Sequence, residues 1–246
     1  MERPRLLLVP MLTELEWMIK PELEEWADVA TYDAPGVGEE PAVDDPGSEA
    51  TARRGLEEAD RRGWDKFVVV ADEFGLVAAA HLAVAAGGRL GALALGHARV
   101  SNSTSGARRA LNHEVLAGIQ SLLRTDPRTF VRQLFKMTGG EATQGGYGQG
   151  LIDEWLTRVE MNIAEPFYEA REEEGVVMGA QLAKLDVPML LAQHVGCLMF
   201  TPEGFEDAVA AFPGAQVHRC SEKPSTSPEF AQLLREFCTS LAAARA

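Results

Sequence analysis

Short apolar runs alternate with stretches of helical period along most of this chain, and that alternation admits few folds other than a parallel sheet flanked by helices. Residues 5–9 form a first strand; residues 14–26 read as a helix, with Leu15, Met18, Ile19, Leu23 and Trp26 at helical spacing. Residues 28–32 form a second strand, closed by the turn Asp33-Ala34-Pro35-Gly36-Val37-Gly38. An acidic, Pro-containing loop then leads to a helix from Ser48 or Glu49 to about Arg62. Residues 66–70 and 90–95 are a third and a fourth strand, with an alanine-rich helix at 74–86 between them.

The rhythm breaks between 100 and 180. Residues 114–124, 127–137, 151–159 and 164–174 have helical character, and residues 139–150 hold six glycines in twelve positions. This segment reads as a helical insertion with a flexible middle. Alternation resumes with a strand at 187–193, a helix at 202–211, a strand at 216–220 and a closing helix at 228–244. The expected organisation is therefore a core of residues 1–99 and 181–246 with an insertion at 100–180.

The 246 residues suffice for one large domain of this kind. No run approaches the roughly 18 apolar residues of a membrane span. The apolar piece after Met1-Glu2-Arg3-Pro4-Arg5 is too short for a secretion signal and no cleavage site follows it, so a cytoplasmic protein is expected. A net charge of −14 argues against nucleic-acid backbones and anionic membrane surfaces as partners. Cys197, Cys220 and Cys238 are odd in number and lack a CxxC spacing, which fits reduced thiols.

Chemistry concentrates around FVVVADEFG, residues 67–75. An apolar strand runs into Ala71-Asp72-Glu73-Phe74-Gly75, small residues two positions either side of a central glutamate, and a helix follows. With LLLVP (6–10), ATYDAPGVGEE (30–40), LDVPMLLAQHVGCLMFTPEGFEDAVAAFPGAQV (185–217) and SPEFAQLLREF (227–237), this resembles the α/β-hydrolase superfamily over almost the whole chain. The resemblance implies an α/β-hydrolase fold, with 67–75 as the nucleophile elbow and 100–180 in the slot of a helical cap. The elbow turn is strained and its helix approaches closely, so it needs small neighbours, and Ala71 and Gly75 meet that need.

At the catalytic positions the chain departs from the family. Glu73 stands where the resemblance expects serine, or aspartate as in members resembling epoxide hydrolases and haloalkane dehalogenases. The triad acid falls at Gly196 or Cys197, the stretch Cys220-Ser221-Glu222-Lys223-Pro224 contains no histidine, and Pro10-Met11 replaces the His-Gly of the oxyanion loop. No Ser-His-Asp triad can be drawn, which excludes serine esterase chemistry.

Glu73 then has three readings: a general acid or base with a pKa raised by burial, a nucleophile forming an ester, or a structural carboxylate. His97 and His194 each follow an apolar strand at the end where a pocket opens in such folds, so the three side chains are expected to converge as candidate catalytic residues. Asp72 and Phe74 beside the elbow, Met11 and Leu12 after the first strand, and Cys197 are the candidate substrate contacts. A metal held by Glu73, His97 and His194 is chemically conceivable, but the spacing matches no motif and no metal or cofactor is expected. Thr13 and Glu16 read as a capping box. The expected function is non-serine acid–base chemistry of hydrolase or lyase type on a small organic molecule. The alternative is a catalytically inactive homologue that binds a small molecule or a partner. A homodimer through the cap or an edge strand is compatible with the resemblance.

Overall fold

The computed structural model describes residues 3–10, 13–38, 40–45, 47–98, 184–195 and 202–243, with single positions 121, 122, 125, 126, 129, 150, 154 and 182. The expected helical insertion at 100–180 therefore lies almost wholly outside the described residues. So do Met11, Leu12 and Cys197, and the side chain of Phe74.

Six strands form one parallel sheet: β1 (Arg5–Val9), β2 (Asp28–Ala30), β3 (Phe67–Asp72), β4 (Leu90–Gly96), β5 (Met189–His194) and β6 (Gln216–Cys220). Their order is β2-β1-β3-β4-β5-β6, with every neighbouring pair parallel. The chain leaves β1 toward β2 and then crosses to β3 on the other side. The order thus reverses at β1 and β3, and in open α/β sheets that reversal opens a crevice beyond the carboxyl ends of the strands.

The helices are α1 (Lys20–Glu24), α2 (Ser48–Arg61), α3 (Leu76–Ala86), α4 (Pro202–Ala211) and α5 (Pro228–Ala243). Every residue of β3 is buried because both faces of the sheet are covered, which explains its unbroken apolar run. Its alternate side chains feed two cores. Phe67, Val69 and Ala71 pack with residues of α2, α3 and α4, whereas Val68 and Val70 pack with Leu23, Phe230 and Leu234 from α1 and α5.

The single helix expected at 14–26 is two pieces. A short 3-10 turn, Glu14–Glu16, starts at the predicted capping box, and α1 begins only at Lys20. The cause is Pro21, which has no N–H for the Trp17 carbonyl and whose ring would clash with it in a continuous helix. Trp17, released from the helix, turns inward and donates its indole N–H to the Val9 carbonyl at 3.2 Å.

Close approach of α2 and α3 depends on Gly55. A Cβ there would lie 2.5 Å from both Leu82 Cδ1 and the Tyr32 hydroxyl, and both side chains are buried. Alanine favours a helix over glycine by about 1 kcal/mol, but forcing atoms into a packed interior costs about 1–3 kcal/mol. The clash wins, because the rigid Tyr32 ring cannot swing aside. Gly55→Ala is expected to lower the melting temperature by several degrees in calorimetry; an unchanged or higher value would show that the helices separate freely.

Candidate active site

β3 ends in a turn whose backbone is unusual. Glu73 has φ +46°, a left-handed conformation unfavourable for a residue with a Cβ, and its 3-10 turn Glu73–Gly75 leads into α3. A Cβ on Gly75 would lie 2.9 Å from the Val9 carbonyl oxygen and 3.2 Å from that of Pro10. The need for a small residue two positions after Glu73 is thus a contact with the end of β1. The other non-glycine residue with positive φ among those described is His97, at +50°, just past the end of β4. Strained backbones of this kind persist only where surrounding structure holds them, and they cluster at functional sites.

Glu73 is buried, and its partner is Lys223, whose Nζ lies 2.7 Å from Glu73 Oε2. The two side chains expose only 5% and 11% of their surface. The other oxygen, Oε1, is buried and has no hydrogen-bond partner among the described residues. Burial raises the Glu73 carboxyl above the usual carboxylate range, with Asp72 adding to the rise and Lys223 opposing it. Burial also works against the Lys223 ammonium, yet the carboxylates of Glu73 and Asp72 outweigh it and hold the ammonium more tightly protonated than an exposed lysine. Lys223 is therefore a fixed cation and no base.

Asp72, one residue before Glu73, has both oxygens committed to protein. His97 Nδ1 lies 2.7 Å from Oδ1, and the Ser225 backbone N–H donates to Oδ2 at 2.9 Å. Burial opposes its ionisation, but His97, Lys223 and the Ser225 amide outweigh burial and bring its pKa down to about 2. Because Asp72 is ionised and can only accept, His97 Nδ1 carries the proton of that bond. Gly96 makes the pair possible: a Cβ there would come 2.4 Å from Asp72 Oδ1 and 2.9 Å from Pro224 Cβ. Asp72 thus ties the end of β4 to the loop that carries Lys223.

A carboxyl depressed on folding stabilises the fold above its unfolded pKa and loses that contribution as pH falls through the folded value. From 3.8 to about 2, at ~1.4 kcal/mol per pH unit, Asp72 contributes about 2 kcal/mol at neutral pH. Asp72→Asn should be less stable than the wild type by at least that much at pH 7. Its deficit should shrink between pH 4 and pH 2 in urea titrations, and a deficit constant across that range would contradict the assignment.

His194 closes the row. It ends β5, its ring centroid lies 6.4 Å from that of His97 at an edge-on angle, and its buried Nδ1 has no partner among the described residues. Burial lowers its pKa, and His97 lowers it further, so at pH 7 it is a neutral imidazole. Glu73, His97 and His194 thus stand at the carboxyl ends of three successive strands, although the direct partner of Glu73 is Lys223 and that of His97 is Asp72. Lys223 was not among the sequence candidates. The signal was its position: it is the one basic residue in the stretch 220–224, where the resemblance expects the third triad member, and a search for histidine passes over it. Glu14 pairs with Lys20 at 3.4 Å, and Glu16 closes the Thr13 capping box. No group of three or more His, Cys, Asp or Glu residues arranged to hold a metal occurs among the described residues.

No family model and no curated protein matches this sequence. Solved structures do match its fold. A hydrolase from Oleispira antarctica superposes with a TM-score of 0.77 at 16% identity, covering 96% of this chain and 91% of its own. An enol-lactonase from Burkholderia xenovorans gives 0.76 at 16% identity, covering 97% and 92%. A haloalkane dehalogenase loop variant from Bradyrhizobium elkanii gives 0.76 at 15% identity, covering 100% and 91%. The chain has the α/β-hydrolase fold, and its structural neighbours are hydrolases.

Proposed function

We propose that this protein is a hydrolase-type enzyme for a small organic molecule, in which Glu73 acts as general base and then general acid. The observation that carries this reading is Oε1 of Glu73: a buried oxygen without a partner among the described residues, on a strained turn at the mouth of the sheet crevice. Such a group is costly for stability alone and becomes intelligible if a water or substrate completes it.

In this mechanism Oε1 takes a proton from a water molecule as the water oxygen attacks the electrophilic carbon of an ester or lactone. The carbon–oxygen bond then breaks, and the protonated Glu73 returns its proton to the leaving oxygen. The raised pKa of Glu73 makes it a stronger base than an exposed carboxylate, and general-base assistance supplies about 10²–10⁴ in rate. Lys223 fixes the carboxylate through Oε2 and offsets its buried charge. His97, held by Asp72, and the neutral His194 provide a second place for a proton beside the reacting atoms. The buried free thiols of Cys220 and Cys238 suit a reducing compartment such as the cytoplasm.

One observation favours a second reading, a ligand-binding protein without turnover: Lys223 already neutralises Glu73. Turnover of a panel of esters, lactones, epoxides and haloalkanes, with acid-quenched intact mass, separates the alternatives. General-base hydrolysis gives turnover of an ester or lactone without an adduct. A trapped ester on Glu73 would replace it with nucleophilic catalysis, and silence across the panel would favour the binding protein.

A further inference from the structure

The cations of this acidic chain are unevenly partnered. Lys20, Arg53, Arg54, Arg61, Arg62, Arg89, Arg219 and Lys223 each hold a carboxylate. Arg3, Lys66 and Arg235 hold none among the described residues; Arg3 and Lys66 donate only to the backbone carbonyls of Glu24 and Gly88. With 37 acidic against 23 basic residues in the chain, carboxylates are plentiful, so cations left without one stand out. Apart from the exposed Lys184, these three are the described Lys and Arg residues in that condition, and all three line one cavity.

That cavity, of about 400 Å³, opens at the amino ends of β1, β3 and β4 under the second half of α5. It lies at the opposite edge of the sheet from Glu73. Arg3 lies just before β1 and Arg5 opens it, Lys66 precedes the adjacent strand, and Arg235 comes from α5. Trp26, Val68 and Leu241 provide apolar wall. Gly91 lies against the floor, where a Cβ would come 3.0 Å from the Phe67 carbonyl and 3.6 Å from Lys66 Cγ.

Arg3, Lys66 and Arg235, three like charges around one concavity, repel one another, and an anion seated among them relieves that repulsion. The size is that of a small-molecule site, and apolar walls with a few convergent polar groups are the usual lining of such sites. We infer that this cavity is a second ligand site, for a small carboxylate with an apolar aryl or acyl body. The arginines grip the carboxylate and the Trp26 wall covers the body. The site is independent of the Glu73 chemistry, and its failure would leave that reading intact.

The test is calorimetric titration of the full chain with 2-naphthoate and decanoate, beside 2-naphthalenemethanol and inorganic phosphate. One carboxylate should bind one-to-one, and the neutral alcohol about tenfold or more weaker. Arg235→Gln and Lys66→Gln, both at exposed positions, should each weaken binding about tenfold with unchanged melting temperatures, and Glu73→Gln should leave it unaltered. Three outcomes overturn the proposal: no carboxylate binds, the alcohol or phosphate binds as well as the carboxylates, or Arg235→Gln has no effect. Loss of binding in Glu73→Gln alone would assign the ligand to the other edge of the sheet, and that also overturns it.

Discussion

Glu73→Gln is expected to lower turnover of an accepted ester or lactone by about 10³-fold while leaving the melting temperature close to wild type. Glutamine keeps the shape of the side chain, and its carbonyl can still accept from Lys223, so the loop 223–226 stays in place. It removes only the charge and the basicity. Stability changes little because Lys223 keeps the Asp72 carboxylate as a second counter-charge beside the glutamine carbonyl, whereas Glu73 has no second cation of that kind when Lys223 is removed. Glu73→Asp tests geometry instead: it withdraws the carboxylate by a methylene, and misplacement of about 1 Å costs on the order of 100-fold. The pH profile supplies a third signature. Catalysis needs the ionised carboxylate, so kcat/KM should fall as pH drops through a pKa above the ordinary 4.5, and that limb should vanish in Glu73→Gln. A glutamine variant as active as the wild type would remove Glu73 from the chemistry.

Lys223→Met carries the largest expected stability effect. Removing one partner of a buried ion pair leaves the other charge without compensation, at about 3–5 kcal/mol. For a chain of this size that lowers the melting temperature by roughly 10 °C. The double variant Lys223→Met with Glu73→Gln should recover most of the loss, because no charge is then stranded. Acidification gives a check on sign. The stranded carboxyl titrates above its unfolded value, so the folded variant takes up a proton as pH falls, and the deficit should narrow toward pH 4. If the double variant is no more stable than Lys223→Met alone, the lysine contributes through packing and the Glu73–Lys223 interaction has little energetic weight.

Where the sequence located structure well, the cause is local. β1, β3 and β4 are short apolar runs because both faces of the sheet are covered there, and the spans of β1, α4 and the more polar edge strand β6 were legible to the residue. The tight turn after β3 was legible because Gly75, two positions past Glu73, packs against the end of β1 where a Cβ has no room. Proline at position 21 was the overlooked local signal: the apolar spacing of 14–26 fits a helix, and the missing N–H divides it.

The candidate site was legible only as separate strand ends. Asp72, Glu73, His97 and His194 are recognisable because polar residues directly after buried strands emerge at the sheet edge. Which of them touch depends on strand order, and strand order depends on how helices cover the two faces. Asp72 meets His97 because β3 and β4 pair with Asp72 opposite Gly96, and it meets Ser225 across 153 positions of chain. Lys223 reaches Glu73 for the same reason.

By itself, then, the sequence determined the layered parallel architecture and the place of the strained turn at Glu73, since each rests on interactions within a few residues of chain. Only the tertiary structure decided that a lysine answers Glu73, that Asp72 orients His97, and that Arg3, Lys66 and Arg235 share one cavity. Those pairings join segments that meet when the sheet closes, and electrostatic partnership follows distance in space, to which separation along the chain is no guide.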